Sequence, residues 1–215
     1  MEDAHEAIRT MLGLLSDAAR LNDSHETGIE RLFANWISRS RTCHGCEQTR
    51  ERIEKEQDLL LSIPSPSSDN GITNLYDCFR SLGESEIIPS VECPLCERKS
   101  SATAESTLAR GGDLVLVVLR RFGPDGRKIR TQVEYPVILD MKIVTNDPQS
   151  ILPYYKLVGV IHHHGNSLLL GHYSSQFFHH LDEEWLEAND AFVTSRKGQL
   201  ETVSGTVYIL LYERN

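Results

Sequence analysis

No stretch of this chain stays apolar for the ~20 residues that a membrane span needs, and Met1-Glu2-Asp3 lacks the basic start of a secretory signal. Basic residues are also in short supply: 22 Lys and Arg stand against 31 Asp and Glu, a net charge of −9. That balance opposes the phosphate neutralisation on which nucleic-acid binding rests, and no local run of Lys or Arg makes an exception. The expected partners are therefore proteins, basic or exposing a tail, with neither nucleic acid nor a membrane among them. The expected compartment is the cytoplasm, the nucleus or both. Cysteine is scarce too, five in 215 residues, and five thiols in a reducing compartment point to metal or catalysis rather than disulfides. No internal repeat divides the chain.

What is present falls into three stretches. Ala4, Ile8, Met11, Leu12, Leu15 and Ala19 recur at helical spacing between Glu2 and Leu21, and the polar "NDSHETG" stops them, which predicts one amphipathic helix. Residues 43 to 96 hold two Cys-x-x-Cys pairs around a Pro-, Ser- and Gly-rich middle, "SIPSPSSDNG", that reads as loop or linker. From Asp113 onward come strand patterns. "LVLVVLRRF", the turn "GPDG" and "KIRTQVEYPVIL" predict a hairpin, and "YKLVGVIHHH", "LLLGHYSSQFF" and "TVYILLYER" extend it into an antiparallel sheet.

Cys43, Cys46, Cys93 and Cys96 form two chelating turns that together offer the four thiolates structural Zn2+ prefers. The long gap between them places the pairs at the tips of two hairpins with an insertion between; the alternative is four reduced cysteines that merely pack. His44, inside the first pair, reads as a neighbour, or as a substitute for one thiolate. Cys78 is left over as a candidate nucleophile. Leu75, Cys78, Phe79 and Leu82 fall at i, i+3, i+4 and i+7, which puts its sulfur on the buried stripe of a short helix ended by Gly83, where a thiolate is disfavoured.

Four histidines crowd into "HHHGNSLLLGHYSS". On a strand His162 and His164 share one face and His163 the other, so the triplet cannot converge on one ion. His172 lies on the next strand between Gly171, which allows close backbone approach, and Tyr173. Asn189 and Asp190 follow on "WLEANDAFV", at a separation that lets a hairpin set a carboxamide beside the imidazole. A base histidine oriented by an Asn or Asp is the arrangement of cysteine proteases; the other reading is a histidine satisfied within its sheet.

In chain order these pieces resemble the ubiquitin-specific protease family. "EDAHEAIRTML" resembles the family's Gln-x-Asp-Ala-x-Glu-Phe box, with Ala7 in place of an aromatic or aliphatic residue and Met1 in place of glutamine. The Cys-x-x-Cys pairs resemble the zinc site of its fingers, "LVLVVLRRF" a palm strand, "YKLVGVIHHHGNSLLLGHY" with "WLEANDAFV" the His box, and "YILLYER" the closing strand. The resemblance implies an α+β papain-like fold lacking most of the thumb: a residual thumb helix and connection (1–40), zinc-bearing fingers (41–112) and an antiparallel palm with the His box (113–215). It implies His172 as general base, Asn189 as the residue that orients it and Asp190 as an accessory. Asp3 and His164 would line the channel for the ubiquitin tail, and ubiquitin or ubiquitinated proteins would be the partners. The family's nucleophile box belongs upstream of the first box, and no cysteine precedes Cys43. The expected state is a chain inactive as written, either a truncated copy of an active deubiquitinase or a separate product that binds ubiquitin or a partner without cleaving. A zinc-stabilised interaction scaffold is the further alternative. Loss of the thumb would leave apolar surface uncovered on the helix and the sheet.

Overall fold

The computed structural model describes residues 3–20, 27–66, 70–123, 126–145, 154–167, 170–196 and 200–215. Asp3 starts α1 (Ala4–Arg20) by accepting the backbone amides of His5 and Glu6, a side-chain cap on a helix N-terminus. Ala4 and Ile8 pack on one face of the large sheet, and Leu12 and Ser16 are buried. The predicted stripe is covered along one edge only: its Met11 and Leu15 are 55% and 53% exposed, as is Leu14 beside them at 65%. The stretch 22–28 read as a loop lies outside the described residues as far as 26, and at its end Thr27 and Glu30 close a reciprocal capping box at the head of a short α2 (Gly28–Leu32).

The chain then runs out along β1 (Asn35–Cys43) and back along β2 (Thr49–Glu56). Between the two cysteine turns it returns to the body of the protein, through β3 (Leu59–Ser62), β4 (Ile72–Asn74) and α3 (Leu75–Leu82). The middle read as linker is thus flanked by core structure, although its residues 67–69 lie outside the described ones. In α3 the predicted stripe is realised: Asn74 caps the start, and Leu75, Cys78 and Phe79 are buried. A second excursion follows, β5 (Glu86–Glu92) out and β6 (Lys99–Arg110) back. The two excursions form one four-stranded sheet in the order β2-β1-β6-β5.

The larger sheet is built on β7 (Leu114–Arg120), whose run Val115 to Leu119 is wholly buried. Val115, Val117 and Leu119 join the core under α3 while Leu116 and Val118 face α1, so a continuous apolar run is what a strand covered on both faces requires. After the turn the expected hairpin does not continue. Among the described residues a single bridge, Phe122 with Lys128, and its flanking backbone hydrogen bonds follow the turn, and β8 (Gln132–Glu134) pairs elsewhere, parallel to β4. Just before the turn lies Arg121, fully buried, whose guanidinium donates to the carbonyls of Ile129, Thr131, Ser204 and Val207. The edges of β7 go instead to β3, parallel, and to the last strand, antiparallel.

Next come β9 (Ile138–Asp140), α4 (Met141–Thr145), β10 (Tyr154–His164), β11 (His172–His179), β12 (Glu184–Asn189), β13 (Phe192–Ser195), β14 (Val203–Ser204) and β15 (Val207–Arg214). The sheet runs β13-β12-β11-β10-β15-β7-β3, with β9 also on β10. Apart from the β3–β7 pairing it is antiparallel, as the sequence pattern anticipates. No helix among the described residues is long and apolar enough to cross a membrane.

Candidate functional site

Two constellations stand out, one at the tip of the smaller sheet and one where β10, β11 and β12 meet. At the tip, the turns after β1 and β5 are copies of each other. Glu47 and Glu97 each donate an amide to the carbonyl of the first cysteine and adopt a left-handed conformation, φ +58° and +57°. The repeated turn brings Cys43, Cys46, Cys93 and Cys96 together with all four sulfurs within 4.8 Å of one another, close enough to bind a metal ion. A tetrahedral ion with ~2.3 Å bonds to sulfur sets its ligands about 3.8 Å apart, and the Cys46 and Cys93 sulfurs are 3.9 Å apart.

The electrostatics fit such an ion. Backbone amides of Cys96 and Leu95 pull the Cys93 thiol down to about 7. Cys46, although the Gln48 amide favours its thiolate, is pushed up to about 11 by burial and by the other three sulfurs. A cluster that accepts one negative charge and resists the next is what a divalent cation relieves. His44 is no ligand here, since its two ring nitrogens contact Ser101 and Thr103 hydroxyls.

At the second constellation, His172 opens β11 directly opposite His164 of β10. Asn189 closes β12, and Asp190 begins the tight turn to β13 in a left-handed conformation that Asp tolerates, φ +50°. The turn sets both side chains at the head of β11. His172 Nε2 lies 2.6 Å from Asn189 Oδ1, and Nδ1 lies 3.9 Å from Asp190. An amide oxygen only accepts, so Nε2 carries the proton and Nδ1 holds the free lone pair. His164 contacts Ser174 Oγ at 2.8 Å through Nε2 and stays exposed, and burial lowers its pKa. The three predicted members of the base group are therefore together.

Asp3 lies apart from them, beneath the same strands. Its carboxylate accepts from Tyr208 at 3.0 and 2.9 Å and from Tyr173 at 3.2 Å, which locks the start of α1 to β11 and β15. Burial and the Asp3 carboxylate push the Tyr208 phenol far up, so it remains a donor. His163, on the opposite strand face as expected, is 1% exposed and packs among Phe122, Tyr173 and Tyr208. Gly171 makes this possible: a Cβ there would overlap the His163 ring and the His164 carbonyl. Sequence reasoning missed Tyr173, Tyr208 and Arg121: the tyrosines depend wholly, and Arg121 for two of its four carbonyls, on partners more than 70 residues away in the chain. Cys78, the remaining thiol, is fully enclosed in the core, where burial pushes it up to about 12.

A profile of the ubiquitin carboxyl-terminal hydrolase family matches residues 1–212. Human ubiquitin carboxyl-terminal hydrolase 3 is 26% identical over 253 aligned positions, covering 98% of this chain and 48% of the relative. Ubiquitin carboxyl-terminal hydrolase 4 of Saccharomyces cerevisiae is 28% identical, covering 86% and 22%. The chain thus spans half or less of these relatives' length. Among solved structures, the SAGA Ubp8/Sgf11/Sus1/Sgf73 DUB module bound to ubiquitin aldehyde superposes with a TM-score of 0.77 at 22% identity, covering 100% of this chain and 50% of that one. A related SAGA DUB module bound to monoubiquitin gives 0.78 at 24% identity. With the family profile running nearly from end to end and the fold shared, this chain is a member of the ubiquitin-specific protease branch of the ubiquitin carboxyl-terminal hydrolases.

Proposed function

We propose that this protein carries the base-bearing side of a ubiquitin-directed thiol hydrolase site, and that these 215 residues by themselves bind ubiquitin without cleaving it. The observation that carries the reading is the 2.6 Å pair of His172 and Asn189 with no thiol beside it. Four cysteines converge at the tip of the other sheet, and Cys78 is sealed in the core. In the family chemistry, hydrolysis of a ubiquitin isopeptide needs a thiol to attack the carbonyl. A histidine takes the thiol proton and hands it to the departing lysine amine, and water then splits the thioester. His172 is assigned the proton transfers, Asn189 its tautomer and orientation, and Asp190 an accessory role in holding the imidazolium. Asp3 and His164 are assigned to the channel for the ubiquitin tail, Asp3 through a negative charge that two phenols keep in place. The four cysteines are assigned a structural Zn2+, which would close the fingertips into one unit. No polar ligand beyond the thiolates is needed for that role. The cytoplasm or nucleus is the proposed compartment, on the strength of the reduced thiols.

The experiment pairs ubiquitin titration followed by NMR with an electrophile-tipped ubiquitin probe. Saturable shifts in ubiquitin with no covalent adduct are expected. An adduct that disappears in Cys78→Ser would make Cys78 the nucleophile and overturn its place in the core; absence of any shift would remove ubiquitin as the partner.

A further inference from the structure

We propose that His164 and His172 form a second metal-binding site, a cross-strand pair of imidazoles that takes a borderline transition-metal ion such as Zn2+, Ni2+ or Cu2+ independently of the cysteine cluster. The two residues are direct partners across the β10–β11 ladder, where facing Cβ atoms lie ~4.5–5.5 Å apart. Their rings are 6.1 Å apart between centroids and inclined by 29°. Two metal–nitrogen bonds of about 2.0–2.1 Å, added to the half-width of each ring, span about that separation when the rings point nitrogen to nitrogen, so turning the two stacked side chains edge-on would bring both onto one ion.

The hydrogen bonds around the pair point the same way. Each imidazole uses Nε2 on a neighbour, Ser174 Oγ for His164 and Asn189 Oδ1 for His172, and Nδ1 is left over on both. Ligating histidines are held in this manner, one nitrogen fixed by an outer partner and the other on the metal. The exposed Asp190 carboxylate lies 3.9 Å from Nδ1 of His172 and can swing in as a third donor once an ion is bound, although as they stand the two imidazoles and this carboxylate do not converge as the four cysteines do. Two imidazoles and a carboxylate suit zinc, nickel and copper and match poorly the all-oxygen sets of calcium or magnesium. His162, also 6.1 Å from His164, is excluded because it is buried. An ion on Nδ1 would occupy the lone pair that a thiol would otherwise reach. That braking effect rests on the reading of His172 as a base, whereas the metal site itself does not.

The test uses the full chain with its cysteine cluster already loaded. One equivalent of Cu2+ should give an electron paramagnetic resonance spectrum with coupling to two imidazole nitrogens, and Ni2+ calorimetry should show one site. His164→Gln and His164→Asn should each reduce the coupling to one nitrogen and weaken Ni2+ at least about tenfold. Absence of binding or an unaltered spectrum in both His164 variants would overturn the site. None of these readouts depends on hydrolysis, so failure here and failure of the hydrolase reading are separable.

Discussion

His172 and Asn189 are 17 positions apart and 2.6 Å apart in space. That contact was legible because a hairpin is a local device: alternation fixes the face and the turn fixes the register. Arg121 was not legible. An arginine at the end of an apolar strand reads as a solvated terminus, yet it is buried without a carboxylate, spending its donors on four carbonyls. Gly171 falls between these cases. Its neighbour His172 drew attention to it, but what it makes room for is His163, whose nitrogens have no partner in the structure and whose ring is held by aromatic contacts alone. Gly171→Ala forces a methyl against backbone and ring together. We expect it to lower stability by about 1–3 kcal/mol, the usual cost of overpacking, and to shift the His164 and His172 imidazole signals in NMR. A urea midpoint and imidazole shifts equal to the parent's would show that the strands part without cost.

At the scale of elements, the two cysteine hairpins are the clearest case of sequence foretelling structure, tips and all. The reason is that four ligands at fixed spacing constrain a turn more tightly than hydrophobic pattern does. The opposite case is β3. Its parallel pairing with β7 joins residues more than 50 apart, and such a pairing has no turn to announce it. The smaller sheet has little core of its own: β2 is exposed along most of its length and β5 likewise, and ion pairs of Arg39 with Glu54 and Glu56 stitch β1 to β2 at the surface. Its cohesion at the tip therefore falls to the four cysteines and the Zn2+ proposed for them. Purified protein should carry about one zinc per chain, and Cys93→Ser should lose it together with much of the ~10 kcal/mol of apparent binding free energy that such sites supply at neutral pH. Amides of β1, β2, β5 and β6 should then exchange fast while those of β7, β10 and β15 stay protected. Elemental analysis showing no metal in protein purified without chelators would refute the assignment.

For the molecule as a whole, the large sheet is clad on one face by α3, α4 and the core beneath them, and on the other by α1, from which Met11, Leu14 and Leu15 point to solvent. Those three side chains form an apolar edge further along the helix whose start Asp3 ties to β11 and β15 through Tyr173 and Tyr208. A helix bearing a thiol, packed along that edge, would approach the strands that hold His172. If a nucleophile-box segment of a ubiquitin-specific protease is fused ahead of Met1, we expect hydrolysis of ubiquitin conjugates to appear. His172→Ala in the fusion should abolish it, because the thiol then has no base in reach. Asn189→Ala should slow it by a smaller factor, since the imidazole loses its 2.6 Å partner but keeps Asp190 nearby. His180→Ala is the neutral control, because its exposed ring pairs with Glu213 away from Asn189. His163→Ala, by contrast, should cost stability, since it empties a site among three aromatic rings. Full activity in His172→Ala with loss in His164→Ala would transfer the base to β10 and require the site to be rebuilt around the other strand of the pair.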